Sequence, residues 1–452
     1  MSNFSTLKSL CHKITDGSHY SPKGESDGFP MLSVKDMTDF GFSYNDCKFI
    51  SEEDYQKLVK ADCRPKLNDL LIAKDGSYLK HVFVIKEEKE QAVLSSIGIL
   101  RPNLNKVNPD YLKYYLQTKS VKETVSKKYV SGSALPRIIL KGFEQIAVLI
   151  KDLPTQQSIA KVLSDLDSKI ELNNRINREL EAMAKTLYDY WFVQFDFPDE
   201  NGNPYKSSGG KMVYNAELKR EIPEGWEVKT LAKWIKNDKS GDWGKETEEG
   251  NYQLKVSCVR GADLNGLNGN GELKPPTRFI LENNSNKLLE NLDLIVEISG
   301  GSPTQSTGRL AFINEETLQR FPNPLICSNF CKALTLKEEK YLYNFVYQWH
   351  RIYDNGVLFG WEGKTSGIKN LLFESFVTNH KEVYPKAEIV EKFYDFAKPI
   401  HAQKQKNLIQ NQQLSELRDW LLPMLMNGQV TVKEAEERLS MAAEPSVEYK
   451  KG

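Results

Sequence analysis

Four short constellations in this 452-residue chain have residue types and spacings that could do chemistry. Asn108-Pro-Asp-Tyr111 could make a tight turn whose backbone acceptors hold an amino group for methyl transfer, but no Gly-rich cofactor loop follows a strand. The plainer reading takes Asn108 as a helix N-cap and Pro109 as the first residue of a helix over YLKYYLQ. Asp354 with Glu362-Gly-Lys364 has the residue order of a metal-dependent nuclease, at a short spacing and in a common pattern. GGSPTQSTG (300–308) is a polar glycine loop without the Gly-Lys-Ser/Thr ending that grips phosphates. Cys327 and Cys331 are the only cysteines close in sequence, and the six histidines supply no His-x-x-x-His ligand pair. Neither a Gly-x-Ser-x-Gly elbow nor a kinase motif set is present. The expectation is a chain with no catalytic, metal or cofactor site of its own.

Composition narrows the classes further. Basic and acidic residues balance at 61 each, which excludes a uniformly basic coat for nucleic acid and an acidic disordered tail. Aromatic residues at 10% and apolar residues at 40% indicate folded domains, and the length suggests two to four of them. Six scattered cysteines read as reduced thiols. The first residues contain no apolar core of signal-peptide length, and IAVLI (146–150) is far too short to span a bilayer. A soluble, cytoplasmic protein is expected.

An internal repeat organises the chain. KFISEEDYQKL (48–58) falls on RFILENNSNKL (278–288) at a shift of 230, and YLKYYLQ (111–117) falls on YLYNFVY (341–347) at the same shift. NDLLIAKDGS (68–77) matches LDLIVEISGG (292–301) at a shift of 224, and SALPRIILKGF (133–143) resembles SGIKNLLFESF (366–376) at 233. Each copy closes with a long heptad pattern. Ile159, Leu163, Leu166, Ile170, Asn173, Asn177, Leu180, Ala184, Leu187 and Trp191 alternate in spacing by four and three. Ile389, Phe393, Phe396, Ile400, Gln403, Asn407, Gln410, Leu414, Leu417 and Leu421 repeat that seam at a shift of 230. Both seams turn polar at the same place, which suits antiparallel pairing with centre against centre. Two unrelated core helices would be the bland alternative. Pro399 should kink or split the second helix, and Pro423 should mark its far end.

The expected organisation is an α+β protein: two mixed α/β domains in pseudo-twofold repeat, each followed by a long helix, the two helices forming an antiparallel coiled coil. Its boundaries are a first mixed α/β domain at 1–152, a central helix at 153–195 and a Gly/Pro/Ser/Asn-rich connector at 196–222. A second α/β domain at 223–384, a distal helix at 385–430 and a mobile charged tail at 431–452 complete it. Paired polar loops recur in both domains: AKDGSYLKH (73–81) with KKYVSGSALPR (127–137), and EISGGSPTQSTGR (297–309) with WEGKTSGIK (361–369). Serine, threonine, lysine, arginine and glycine amides are groups that position phosphates, while Arg, Gln and Asn read base edges. Residues 1–150 carry 22 basic and 18 acidic side chains, and residues 223–384 carry 19 and 21, so charge alone does not nominate the second domain for DNA.

The chain resembles the specificity subunits of type I restriction–modification systems. The resemblance rests on the domain–helix–domain–helix order and on IAVLIKDLPTQQSIAKVLSDLDSKIELNNRINRELEAMAKTLYDYWF (146–192). It rests also on the connector PDENGNPYKSSGGKMVYNAELKREIPEGWE (198–227), the most specific feature, and on LLIAKDGS (70–77) with DLIVEISGG (293–301). VTNHKEVYPKAEI (377–389) departs from the pattern by lacking the proline–glutamine entry seen at 154–157. The resemblance implies that each domain reads one half of a bipartite, asymmetric double-stranded DNA site while the helices act as spacer and ruler. Two methyltransferase subunits and restriction subunits would dock on this frame, supplying S-adenosylmethionine, ATP and Mg²⁺ chemistry that the chain itself lacks. It also places loop residues against DNA, here Lys74, Gly76, Ser77, Lys80, Ser133 and Arg137 in the first domain. In the second they are Gly301, Gln305, Thr307, Arg309, Lys364 and Thr365. Trp191, Phe192 and Phe195 are candidates for partner contact, or for closing a local core. A stand-alone two-domain DNA-binding regulator is the alternative, and an enzyme with its own site is a third reading.

Overall fold

The computed structural model describes residues 4–76, 79–131, 136–300, 304–365 and 368–443, with backbone alone at 364–365 and 439–443. The chain divides into two compact units, one of Met1–Glu171 with Gln413–Gly452 and one of Leu172–Gln412. Among the described residues, no helix is long and apolar enough to cross a membrane. All six cysteines are free thiols.

The repeat read from the sequence is a repeat of sheet topology. In the first unit Cys11–Asp16, Ile97–Pro102, Leu70–Ala73 and Val82–Val84 lie side by side as an antiparallel sheet. In the second, Ile235–Ser240, Cys331–Leu336, Leu294–Glu297 and Leu310–Phe312 take the same order. The register matches residue for residue: Leu70 faces Leu100, and Leu294 faces Leu334. A smaller sheet also recurs. Phe29–Leu32 pairs antiparallel with Lys48–Ile50 and parallel with Ala92–Val93. Tyr252–Val259 does the same with Thr277–Leu281 and Leu325–Cys327.

The central strands, LLIA and LIVE, are buried throughout, and apart from Glu297 at the end of the second they are apolar because both their faces are buried. Each is preceded by a buried aspartate at the matching place. Asp69 accepts from the Lys66 amide and from Arg101 Nε and Nη2, all at 2.9 Å. Asp293 accepts from the Glu290 amide at 2.9 Å, from Lys239 Nζ at 3.0 Å and from the Thr335 hydroxyl at 2.7 Å. The cation differs, yet the carboxylate and its amide bond three residues back are the same.

Asn108 caps the helix Pro109–Gln117, its side chain accepting from the Tyr111 amide at 2.9 Å, so the N-cap reading of that motif holds. Gln156, in the proline–glutamine entry of the first long helix, is fully buried. Its Oε1 accepts from the Asn108 amide at 2.8 Å, and its Nε2 donates to the carbonyls of Lys106 and Lys151 at 3.2 and 2.8 Å. Gln156→Leu leaves one amide and two carbonyls unpaired. It is expected to lower the stability of the first unit by on the order of 2 kcal/mol, read as a shift of its urea midpoint.

The first long helix runs Leu153–Tyr188 and closes in a π turn, Asp189–Val193, before Phe195 adopts a left-handed conformation with φ of 68°. The second runs Ala387–Asn427. In the first unit Ile159, Leu163 and Leu166 share a core with Leu421, Leu422, Leu425 and Met426. In the second unit Asn173 Nδ2 donates to Gln410 Oε1 and Asn411 Oδ1 at 2.8 and 2.9 Å. Further along, Asn407 Nδ2 donates to Asn177 Oδ1 at 2.8 Å and Lys404 Nζ to Glu181 at 2.6 Å. Rising numbers on one helix meet falling numbers on the other, which is the antiparallel pairing expected. Such amide pairs fix the register at some cost in stability.

Four expectations need correction. The helix is not split at Pro399 but continues through it: both Pro399 and Asp395, whose carbonyl loses its amide partner, are exposed residues, a position where solvent can take the place of the lost amide. Pro423 does not end the helix either; Gly428, with φ of 81°, follows its last residue. Within the polar centre Gln403 is exposed, and the buried seam passes through Lys404, Asn407 and Asn411. His401 and Gln405 are buried as well, because this stretch packs on a second side, where Gln405 Nε2 donates to the Leu267 carbonyl at 3.2 Å. The tail begins with a helix, Val432–Ala443, capped by the Thr431–Glu434 box and holding Ala435 fully buried; residues 444–452 lie outside the described set. The connector is also folded. It forms the hairpin Met212–Asn215 with Arg220–Pro223, and Phe197 stacks between Tyr205 and Trp226 at 4.7 and 4.8 Å.

Candidate nucleic-acid interface

The two polar loops singled out in each sequence copy are brought together, by the same backbone bonds in both units. After strand Leu70–Ala73 the amides of Lys74 and Asp75 donate to the Ser96 carbonyl at 2.9 and 3.3 Å. The Lys74 carbonyl then accepts from the Ile138 amide at 3.0 Å, and the Gly76 amide donates to the Pro136 carbonyl at 2.8 Å. After strand Leu294–Glu297 the amides of Ile298 and Ser299 donate to the Phe330 carbonyl at 2.9 and 3.2 Å, and the Ile298 carbonyl accepts from Leu371 at 2.9 Å. A side-chain latch fastens the loops at equivalent positions: Asp75 to Arg137 at 3.0 Å in the first unit, and Ser299 to Asn370 at 2.5 Å in the second. Each unit thus presents one composite surface of loop, hairpin and turn.

The candidate residues divide by their partners. Gly76 and Lys80 are exposed, and Gly76 takes φ of 69°, which an L side chain tolerates poorly. Arg137 is 52% exposed while holding Asp75. Gln305 is exposed, its carbonyl accepting from Lys369 Nζ at 3.4 Å. Lys364 and Thr365 lie on the strand Glu362–Thr365 of the hairpin. Ser77, Ser133 and Gly301 fall outside the described residues. Three candidates are instead structural. Lys74 is 4% exposed, with its amine 2.5 Å from Asp16. Thr307 is buried, donating to Glu362 Oε1 from its amide at 2.7 Å and its hydroxyl at 3.1 Å. Arg309 makes a two-pronged pair with Glu297 at 2.9 and 2.6 Å, and those hydrogen bonds hold its guanidinium even above its ordinary range. Sequence shows a polar loop but not which polar groups are already paired inside it.

The aromatic candidates for partner contact also need correction. Phe192 and Phe195 are buried and Trp191 half-buried, all within the core of the second unit. Phe192 meets Phe393 edge-on at 5.3 Å, and Phe195 meets Trp226 at 5.6 Å. Their apolar surface is spent on that core. The exposed apolar residues of this helix are Leu172, Ile176, Met183 and Tyr190, whose spacing of four, seven and seven puts them on one face.

Two further surface elements escaped the sequence reading. The loop after strand Cys11–Asp16 exposes His19, Tyr20 and Lys23, with Tyr20 63% exposed. Its counterpart after Ile235–Ser240 holds Trp243 with the Arg278 guanidinium 3.9 Å from its ring centroid. Both loops open on a glycine: a Cβ on Gly17 would stand 2.2 Å from the Val93 carbonyl oxygen, and one on Gly241 would stand 2.0 Å from that of Ser328. The other element is the turn Ser95–Ser96, matched by Asn329–Phe330, where Phe330 is 57% exposed. The 224-residue shift applied to Gly17 would have found the first, and SNFC beside a strand the second.

Part of GGSPTQSTG, residues 301–303, lies outside the described residues, while Glu362 of the nuclease-like set is engaged within its own unit. Glu362 pairs with Lys369 at 3.1 Å and caps Thr307, and no group of three metal-ligating side chains occurs among the described residues. Burial pushes the thiols of Cys258 and Cys327 up to about 12, so neither supplies a thiolate.

Two repeated α/β units, each with a composite polar surface, and two long helices in antiparallel pairing make up the described fold. Residues 2–182 match the type I restriction modification DNA specificity domain. The type I restriction enzyme MjaIX specificity subunit of Methanocaldococcus jannaschii is 28% identical over 332 residues, covering 72% of this chain and 70% of that protein. The HindI specificity subunit of Haemophilus influenzae is 24% identical over 404 residues, covering 78% and 84%. The crystal structure of the type I S subunit from M. genitalium shares the fold, with a TM-score of 0.55 at 15% identity, covering 93% of this chain and 95% of that one. Over most of its length the chain is thus similar to specificity subunits of type I restriction–modification systems, and it shares the fold of a solved S subunit.

Proposed function

We propose that this chain is the non-catalytic DNA-specificity and scaffold subunit of a type I restriction–modification complex. Each recognition unit reads one half of a bipartite asymmetric site with its composite loop–hairpin–turn surface. The antiparallel helices form a spacer of fixed length, which sets the unread gap between half-sites. Two methyltransferase subunits dock on the frame, the apolar stripe of Leu172, Ile176, Met183 and Tyr190 offering them a helix face. Restriction subunits join that assembly. Methyl transfer from S-adenosylmethionine to adenine and ATP- and Mg²⁺-dependent cleavage belong to those partners, and the complex works in the cytoplasm. The observation that carries this reading is the duplicate surface: matched backbone bonds with different side-chain latches, Asp75–Arg137 and Ser299–Asn370, suit one frame reading two different sequences.

Co-expression with the neighbouring methyltransferase gene, followed by mapping of modified adenines, tests it. A bipartite modified motif that appears only with this chain is the expected result. Two soluble, associated proteins that produce no motif would favour a stand-alone regulator, and failure to associate would overturn the scaffold role.

A further inference from the structure

The two recognition units differ at one spot that their matched registers define. Asp16 faces Gly98 across the sheet as Ser240 faces Lys332, and Lys74 bonds to the Ser96 carbonyl as Ile298 bonds to that of Phe330. Ser240 and Ile298 therefore replace the Asp16–Lys74 ion pair of the first unit. Where that pair fills the first unit with a 2.5 Å contact, the second unit has an open cleft of about 420 Å³. Its wall carries Ser240, Ile298, Asp242, Asn284, Lys287 and Asn329.

The chemistry of the wall narrows the occupant. Asn284 Nδ2 donates to Asp242 Oδ2 at 2.6 Å, and the Gly244 amide donates to Oδ1 at 2.9 Å, so the carboxylate is held in place. The wall carries Lys332 as well as Lys287, the former already paired with Asp238 and Glu374. The fixed carboxylate can accept from an amino-bearing base edge. The Asn329 side chain stands on an exposed turn whose next carbonyl is pinned by two amides, and a carboxamide offers a donor and an acceptor together. Carboxamides that do so pair with adenine, and carboxylates accept from cytosine. At the place of Phe330 the first unit has Ser96, whose hydroxyl turns inward to accept from the Val34 amide at 3.1 Å. Phe330 instead leaves a large ring exposed beside the cleft residues.

We propose that this cleft is the base-reading pocket of the second unit, taking the polar edge of a nucleobase in the second half-site, with Asn329 and the Asn284–Asp242 pair as its readers. In the first unit Lys74 and Asp16 occupy the matching spot, so its half-site is read by other groups. The inference rests on the DNA-reading role proposed above.

The test uses the full chain assembled with its methyltransferase. Asn329→Ala is expected to relax one position of the second half-site, with discrimination there falling about 10- to 100-fold, while the first half-site and the gap stay unchanged. The double replacement Ser240→Asp with Ile298→Lys transplants the first unit's filling and is expected to abolish selection at the second half-site. An Asn329→Ala complex that keeps the wild-type motif, with discrimination within about twofold at every position, overturns the proposal. Should the double variant not fold, Asn329→Ala alone decides. A wild-type complex that directs no bipartite motif is a different failure: it removes the DNA-reading role, and this inference with it.

Discussion

Asp167→Ala is expected to lower the stability of the first unit by about 3 to 5 kcal/mol, the usual cost of removing one partner from a buried ionic cluster. Asp167 sits on the first long helix, and three groups converge on it. Lys113 Nζ lies at 2.7 Å and the Tyr114 hydroxyl at 2.6 Å, both from the helix Pro109–Gln117, and Arg418 Nη1 lies at 2.9 Å from the second long helix. Burial alone would raise this carboxyl, but Lys113, Tyr114 and Arg418 together hold it below the usual carboxylate range. Without it, Lys113 is left as a nearly buried ammonium with no counter-charge at 2.7 Å, facing only the neutral Tyr114 hydroxyl at 3.4 Å. Amide exchange gives the readout: protection of Leu70–Ala73, a fully buried strand of the same unit, should fall by a factor of more than a hundred. Protection of Leu294–Glu297 in the other unit should not change. Asp167→Asn keeps one acceptor and should lose less. Equal protection in wild type and Asp167→Ala would show that the cluster is dispensable for the unit.

Acid should weaken the second unit well before ordinary carboxylates protonate. His401 is buried, its ring stacked on Tyr343 at 4.8 Å and edge-on to Phe312 at 5.0 Å, with Nε2 3.1 Å from the Tyr347 hydroxyl. The titratable and charged groups facing it are Glu181, Lys404 and His350, and burial, the largest influence, brings the imidazole down to about 4. An unfolded histidine titrates near 6.5, so between about 6.5 and 4 the unfolded chain binds a proton that the folded unit refuses. The stabilisation is complete above about pH 6.5 and drains away as pH falls toward 4, up to roughly 3 kcal/mol at 1.36 kcal/mol per unit. His350 adds to the same limb, since burial lowers it too. Glu181 acts at lower pH: burial would raise it, but Lys404 holds it down at about 2, so its contribution is lost from about 4.5 downward. Urea midpoints of the second unit at pH 7, 5.5 and 4.5 should fall in that order, and His401→Gln should flatten the slope. A midpoint constant from pH 7 to 4.5 would mean that the imidazole ionises in place.

Much of this was legible in the sequence because it is periodic. The two long helices show as alternating spacings of four and three, and the first seam is buried from Ile159 to Asn177 as the pattern requires. The repeat was legible because equivalent strands keep their type: NDLL and LDLI both carry an aspartate before a buried apolar run, and both aspartates are buried. The errors arose where a local rule met a tertiary one. A proline splits a helix most readily where the carbonyl it orphans is buried, and here that carbonyl belongs to the exposed residue Asp395. Gln403 occupied a heptad position, but packing on a second side turned the helix so that Lys404 took its place.

The candidate interface shows the same division. Sequence by itself determined that the chain is a duplicated α/β unit with paired polar loops, since composition, shift and periodicity are properties of order along the chain. Only the tertiary structure decided that the two loops of each unit form one surface. It alone separated exposed Lys80, and Arg137 that stays half-exposed while holding Asp75, from Lys74, Thr307 and Arg309, which are held inside by Asp16, Glu362 and Glu297. The reason is physical: whether a charged or polar side chain is free depends on what stands within about 3 Å of it. For Lys74 that partner is 58 residues away in sequence, a separation that no local pattern encodes.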